Sequence, residues 1–235
     1  MVNLMLAALL ALVFTPAPAL AEFKGDPKAA TLARRMMDLM GDRQSWVNAR
    51  WIYTAERAYF TNRPDPVDVA FWRATQEPAE WARVSTTGFT RASAWTAKGG
   101  WEHRNDDKRT YSREEMQNRL GWWPGEIYVM YHRLAKEDEQ LRLVLSSERS
   151  FTVLDDATGA HLGVFEVGAS GELVRWIRFF GTSRVEYVYG PLKSFGKIKM
   201  PDWGTIVDGT FRFYYTDVQL RSEAAPPVSL DAPKP

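Results

Sequence analysis

Three histidines are the scarcest side chains with acid–base or metal chemistry, so their neighbours decide what they can do. His132 follows Tyr131 and has Tyr128 and Lys136 one helical turn away, with no carboxylate spaced to orient its ring. It reads as a packed or surface histidine rather than a general base. His161 opens an apolar run directly after a turn and reads the same way. His103 lies in Trp101-Glu102-His103-Arg104-Asn105-Asp106-Asp107, where an imidazole and several carboxylates could offer ligands to a divalent ion. Arg104, Lys108 and Arg109 are interleaved with them, and fixed cations raise the cost of a further positive charge. A solvated loop is expected there, not a metal site.

The acidic pairs Glu114-Glu115 and Asp155-Asp156 raise the question of glycoside hydrolysis, which needs two carboxyl groups facing each other across a sugar. Neighbours in sequence do not face each other across a cleft. Glu115 instead completes a helix-capping box with Ser112, and Asp155-Asp156 suits a turn. Gly159, Gly163 and Gly168 are turn or strand glycines with no Lys-Ser or Lys-Thr behind them, so no phosphate loop is present. The chain has no cysteine, which removes thiol catalysis, disulfides, thiolate metal sites and a cysteine-linked lipid anchor. These residues argue against an enzyme, and no cofactor is expected.

The remaining chemistry is aromatic. Ten tryptophans are roughly three times ordinary usage and stand with 12 Phe and 9 Tyr, which predicts a large apolar surface. Thirty Lys and Arg against 29 Asp and Glu leave a net charge of +1, too little to draw in a nucleic-acid backbone.

The elements that must position these rings follow from periodicity. Lys28 to Gln44 carries Leu32, Met36, Leu39 and Met40 on one stripe and reads as an amphipathic helix. From Trp46 the period changes to two, predicting a long strand. Runs at Val67 to Thr75, Glu80 to Thr86 and Phe89 to Ala97, separated by Pro and Gly breakers, continue as an antiparallel meander. A helix starting at Ser112 ends near Gly121, and a second carries Ile127, Met130, Tyr131 and Leu134 on one face. Between them, Pro124 should hold Trp123 extended and Gly125 should let the chain re-enter a helix at a new angle. Six further strand runs follow, from Leu141 to Leu220. The expected fold is α+β: a strongly curved antiparallel sheet wrapped round the helices, as one domain over residues 26–221.

Both ends read differently. Leu4 to Leu20 is apolar but short for a membrane span and is followed by Ala19-Leu20-Ala21, a small-x-small cleavage pattern. Residues 1–21 are therefore expected to be a cleavable signal peptide that sends the protein to the periplasm. An uncleaved anchor is the alternative, because Met1-Val2-Asn3 lacks a basic residue. Residues 222–235, rich in proline, read as a flexible tail.

Several features together carry a family resemblance. They are the N-terminal helix, the long first strand, Gly99-Gly100-Trp101 after the fourth strand, the two short helices, and Tyr189-Gly190-Pro191 through Lys199-Met200-Pro201 to Asp208-Gly209. In this order they resemble the LolA-like outer-membrane lipoprotein carrier superfamily. The resemblance implies an incompletely closed antiparallel barrel, with helices as a lid over an apolar cavity for acyl chains. Where such carriers have an Arg-Pro dipeptide, this chain reads Arg73-Ala74-Thr75-Gln76-Glu77-Pro78. Glutamate stands before the proline, so control of the lid by that arginine is not implied.

The expected function is an exported, monomeric carrier or chaperone for a lipid, an acyl chain or a lipoprotein, with an envelope protein as a further candidate partner. Trp72, Trp81, Trp95 and Trp101 are the candidate sheet contacts, and Trp122, Trp123 and Tyr131 the candidate lid. The alternative is a non-catalytic cell-envelope module binding carbohydrate or protein. Rings on an outer face would favour it, and rings converging inside would favour lipid.

Overall fold

Asp26 caps the first helix by accepting backbone N–H bonds from Lys28 and Ala29 at 2.7 and 3.4 Å. The computed structural model describes residues 23–180, 183–226 and 228–231, so the apolar leader and its expected cleavage site lie outside the described residues. A two-residue strand, β1 (Lys24–Gly25), precedes α1 (Pro27–Leu39), which buries Ala29, Ala33, Met36 and Met37 on one stripe. Gly41 then turns the chain with a φ of +93°. A Cβ there would lie 2.4 Å from the Lys197 carbonyl oxygen, so glycine serves both the left-handed turn and the close approach. Asp42 caps a separate helix, α2 (Arg43–Asn48). The single helix expected over Lys28 to Gln44 is thus two, and Trp46 is helical rather than the start of the strand. Local turn and capping chemistry outweighs the continuing apolar spacing.

The first meander is β2 (Trp51–Phe60), β3 (Val67–Ala74), β4 (Ala79–Thr86), β5 (Phe89–Thr96), β6 (Gly99–Arg104) and β7 (Asp107–Thr110). The segment expected to be a solvated loop is the β6–β7 hairpin, turned at Asn105 with φ of +51°. Asparagine tolerates that conformation better than other residues with a Cβ. The helical insertion follows: α3 (Arg113–Trp122), a 3-10 turn (Trp123–Gly125) and α4 (Ile127–Lys136). The capping box is formed in both directions, Glu115 N–H donating to Ser112 Oγ at 3.2 Å and Ser112 N–H to Glu115 Oε2 at 2.8 Å.

The second meander is β8 (Leu141–Ser147), β9 (Ser150–Asp155), β10 (His161–Val167), β11 (Leu173–Phe180) and β12 (Ser183–Tyr189). A separate hairpin, β13 (Leu192–Phe195) with β14 (Ile198–Pro201), leads to β15 (Trp203–Ile206) and β16 (Phe211–Arg221). β16 pairs with β2 and joins the two meanders into one sheet of 14 strands with β1 and β7 at its edges. The sheet is curved, antiparallel apart from β1, and open: an incomplete barrel with a helical lid.

Register assigns every strand residue a face. The inner face of the second meander presents Leu143, Phe151, Phe165, Trp176, Phe213 and Tyr215 to α1 and α4, forming the main core. Across β2 to β6 the inner face changes character, to Glu56, Arg73, Glu80, Trp95 and Glu102. The outer face of those same strands carries Trp51, Tyr53, Trp72, Trp81 and Trp101. Several charged side chains thus lie inside and most of these tryptophans outside, contrary to the usual distribution.

Candidate functional site

α3 and the 3-10 turn lie over the polar half of the inner face, where Met116, Leu120 and Trp123 pack with Trp95 and Tyr111. Between this segment and the sheet is a cleft of about 430 Å³. That volume lies in the range of about 300–1,000 Å³ usual for small-molecule sites. Its apolar lining is Ala74, Ala79, Trp95, Trp122 and Trp123, and its polar lining includes Arg73, Glu80, Arg119, Glu126 and Arg178. The charged groups are matched. Arg73 Nε donates to Glu80 Oε2 at 3.2 Å and Arg73 Nη1 to Thr54 Oγ1 at 3.0 Å, while Trp95 Nε1 donates to Glu80 Oε1 at 3.2 Å. The Arg73 guanidinium also lies 3.6 Å from the Phe71 ring centroid and 4.7 Å from that of Tyr128.

Arg178 of β11 clasps the joint between the two helices. Its Nη1 is 2.9 Å from Glu126 Oε2, its Nη2 donates to the Trp122 carbonyl at 3.0 Å, and its guanidinium lies 4.5 Å from the Trp122 ring centroid. The joint differs from its sequence reading. Trp123 is helical, with φ of −55° and ψ of −44°, and the chain becomes extended only at Glu126. Gly125 has no unusual φ; a Cβ on it would meet the Leu162 carbonyl oxygen at 2.9 Å, so its role is close passage over β10. Here packing against β10 overrides the conformational bias that proline imposes on the residue before it. Beyond the joint is a second, more open cleft of about 800 Å³, lined in part by Pro124, Gly125, Leu162 and Phe179.

Beneath the first cleft, Glu56 is 7% exposed and accepts a 2.9 Å bond from Thr54 Oγ1. Burial raises its carboxyl above the ordinary value, and nearby Arg73 only partly opposes this. His132 is buried in α4, its Nδ1 2.9 Å from the Trp46 carbonyl oxygen. Burial holds it below the ordinary histidine range, so it is a neutral packing group away from both clefts. Among the described residues no cluster of three or more His, Asp or Glu could hold a metal ion, and no helix is long and apolar enough to cross a membrane.

No family model matches the sequence, and no curated protein does. Similar solved structures include a LolA superfamily protein from Nitrosomonas europaea, 10% identical over 82% of this chain and 93% of that one, with a TM-score of 0.46. A DUF1329 family protein from Desulfovibrio piger is 9% identical over 84% and 93%, with a TM-score of 0.45. LprF from Mycobacterium bovis is 10% identical over 89% and 99%, with a TM-score of 0.36. At these identities and TM-scores nothing is carried over from them, and the chemistry must be read from the chain's own clefts.

The seven aromatic candidates are divided among three places. Trp95, Trp122 and Trp123 line the first cleft. Tyr131 is fully buried in the core of α4, edge-on to Trp46 at 5.4 Å between centroids. Trp72, Trp81 and Trp101 come together on the outer face, in one cross-strand row with Tyr53 and Ala94. Part of the tail lies on them: Val228 and Leu230 pack against the Trp51–Trp72 cluster, and Trp101 Nε1 donates to the Leu230 carbonyl at 2.8 Å. The segment that reads as flexible thus contacts the sheet, because its two apolar side chains find exposed rings there. The sequence reading did not single out Glu80, Glu126 or Arg178 for the cleft. Only Arg178 carried a signal, its placement: it shares a face with Trp176 in a strand that is apolar apart from Arg175 on the opposite face.

Proposed function

We propose that the protein is a non-catalytic carrier of the cell envelope, which shelters part of an acyl chain of a lipid or lipoprotein beneath the α3–α4 lid. The observation that carries this reading is that both clefts border one short segment, residues 121–125, held by Arg178 from the sheet. Displacing that segment would open a continuous apolar path past Trp95, Trp122, Trp123, Pro124 and Phe179. Each methylene buried there contributes about 0.8 kcal/mol. A partly enclosed chain is therefore held firmly even after ordering costs. The matched Arg and Glu groups at the rim suit a polar headgroup left near water, since they are already neutralised by one another. A leader that directs export, read from residues 1–21, would place the protein in the periplasm.

The test is uptake of a fluorescent fatty acid by delipidated protein, with mass spectrometry of lipids extracted from natively purified protein. Saturable uptake, quenching of cleft tryptophans and weaker uptake by Trp95→Ala are the expected results. Lipid-free native protein that also fails to take up the probe would overturn the proposal. The second reading, a module that binds protein or carbohydrate, is favoured by one observation, the tryptophan row on the outer face. Its rings are partly covered by the chain's own tail, which argues for a polypeptide partner rather than a sugar.

A further inference from the structure

We propose that the outer face of β2 to β6 is a groove for an extended, proline-containing apolar segment of a partner protein, and that residues 224–226 and 228–231 occupy it in cis as a displaceable competitor. The site is on the opposite side of the sheet from the lipid cleft and does not depend on it.

Three observations carry the proposal. The first is the shape of the groove. Trp72 and Trp81 are directly paired neighbours, Trp51 and Trp101 stand at the two ends, and the small Ala94 separates Trp81 from Trp101. A row of large rings interrupted by small residues is how aromatic grooves accept extended chains. The second is the way the tail is held. Its backbone carbonyls at Ala224 and Leu230 accept indole N–H bonds from Trp51 at 3.4 Å and Trp101 at 2.8 Å. Trp51 on β2 and Trp101 on β6 are separated by four strand spacings, about 19 Å. The six residue steps from Ala224 to Leu230 also span about 19 Å at the polyproline rise of about 3.1 Å. This match fits a tail that crosses the strands extended, with tryptophan N–H groups reading its backbone rather than its side chains.

The third observation is how little else holds it. Residues 222–226 and 228–231 form no strand, Ala224 and Ala225 are exposed, and Val228 and Leu230 are only half-buried. Trp51 and Trp72 are nonetheless 2% and 7% exposed, so the groove is well covered by a weakly attached occupant. A patch this aromatic would be unusual as the bare surface of a monomer. The required partner chemistry is that of the tail itself: a short, extended segment with proline and one or two aliphatic anchors, and no charge between the anchors.

The experiment uses the full chain carrying Val228→Ser and Leu230→Ser, which removes both anchors without altering the sheet. The probe is the synthetic peptide of residues 222–235, which contains no tryptophan, and the readout is the protein's own tryptophan emission. A tethered tail competes at a high effective concentration, so the released variant should bind the peptide about tenfold or more tighter than the wild type. Adding Trp101→Phe, which keeps a ring but removes the N–H donor, should weaken that binding several-fold. In the wild type, Trp101→Phe alone should speed proteolysis within residues 222–231. Equal binding by wild type and released variant, or none by the released variant, would overturn the proposal. So would loss of folding in the Ser variant, since the tail would then be a fixed part of the core, and so would wild-type copies found joined by exchanged tails.

Discussion

Glu56 and Arg73 lie diagonally on one face of β2 and β3, opposite Val69 and Ile52 respectively, with Thr54 between them; Glu56 is 7% exposed and the Arg73 side chain 12%. Because the Glu56 carboxyl is raised in the fold, its contribution to stability is fully present below its usual value near 4.5 and is lost as pH rises through the folded value. Glu56→Gln should therefore be at least as stable as the wild type at pH 7 and should show a flatter dependence between acid and neutral pH. Arg73→Met removes the cation that Glu56 and Glu80 share and should cost about 3–5 kcal/mol. Urea unfolding at pH 4 and pH 7 checks both. A Glu56→Gln protein clearly weaker than wild type at pH 7 would mean that the ionised carboxylate is favourable next to Arg73. This pair was hidden in the sequence, because alternation alone would place a glutamate and an arginine on the wet face.

The joint between α3 and α4 assigns its two adjacent tryptophans different work. Trp123 is half-buried, packs into both neighbouring clusters and donates its indole N–H to the Ala74 carbonyl at 3.2 Å. Trp122 is 41% exposed and lies against Arg178. Trp123→Ala should lose about 3 kcal/mol of stability as an emptied aromatic site. Trp122→Ala should change stability by about 1 kcal/mol at most, the worth of its cation–π contact. It should, however, release a bound fluorescent fatty acid several-fold faster, measured by stopped flow. If both variants fell equally in stability with unchanged release, the joint would be a plain hydrophobic plug. The two helices themselves were legible from the capping box and the apolar spacing, but the site of the bend was not, since it depends on how closely Gly125 passes over β10.

At the scale of the whole molecule, stability is concentrated where helices cover the inner face. β8 to β11, β16 and β2 lie under α1 and α4, whereas every residue of β7 is exposed at the sheet edge. The charges of Asp107, Lys108 and Arg109 on that edge also discourage pairing with another chain. Hydrogen exchange should be slowest in β8 to β11 and α4 and fastest in β6, β7 and α3. Fast exchange in α3 with slow exchange in α4 is what a lid hinged at the joint requires. Uniform protection across both helices would contradict it.

The sequence by itself determined the strands from Val67 to Thr96 and from Leu141 to Phe180, the two inserted helices and the absence of a thiol. These depend on local periodicity, turn residues and caps, which act within a few residues of one another. The break at Gly41, the β6–β7 hairpin and the division of the tryptophans were decided by the tertiary structure. Alternation shows that a strand has two unlike faces but not which of them the helices will cover, and here both faces of β3 and β4 carry large side chains. That choice is made by strand register and by the docking of α1 and α4 on one side, contacts between residues far apart in the chain. Once it is made, Trp95 falls into the lidded cleft and Trp72, Trp81 and Trp101 fall under the tail, although the same period of two runs through all four.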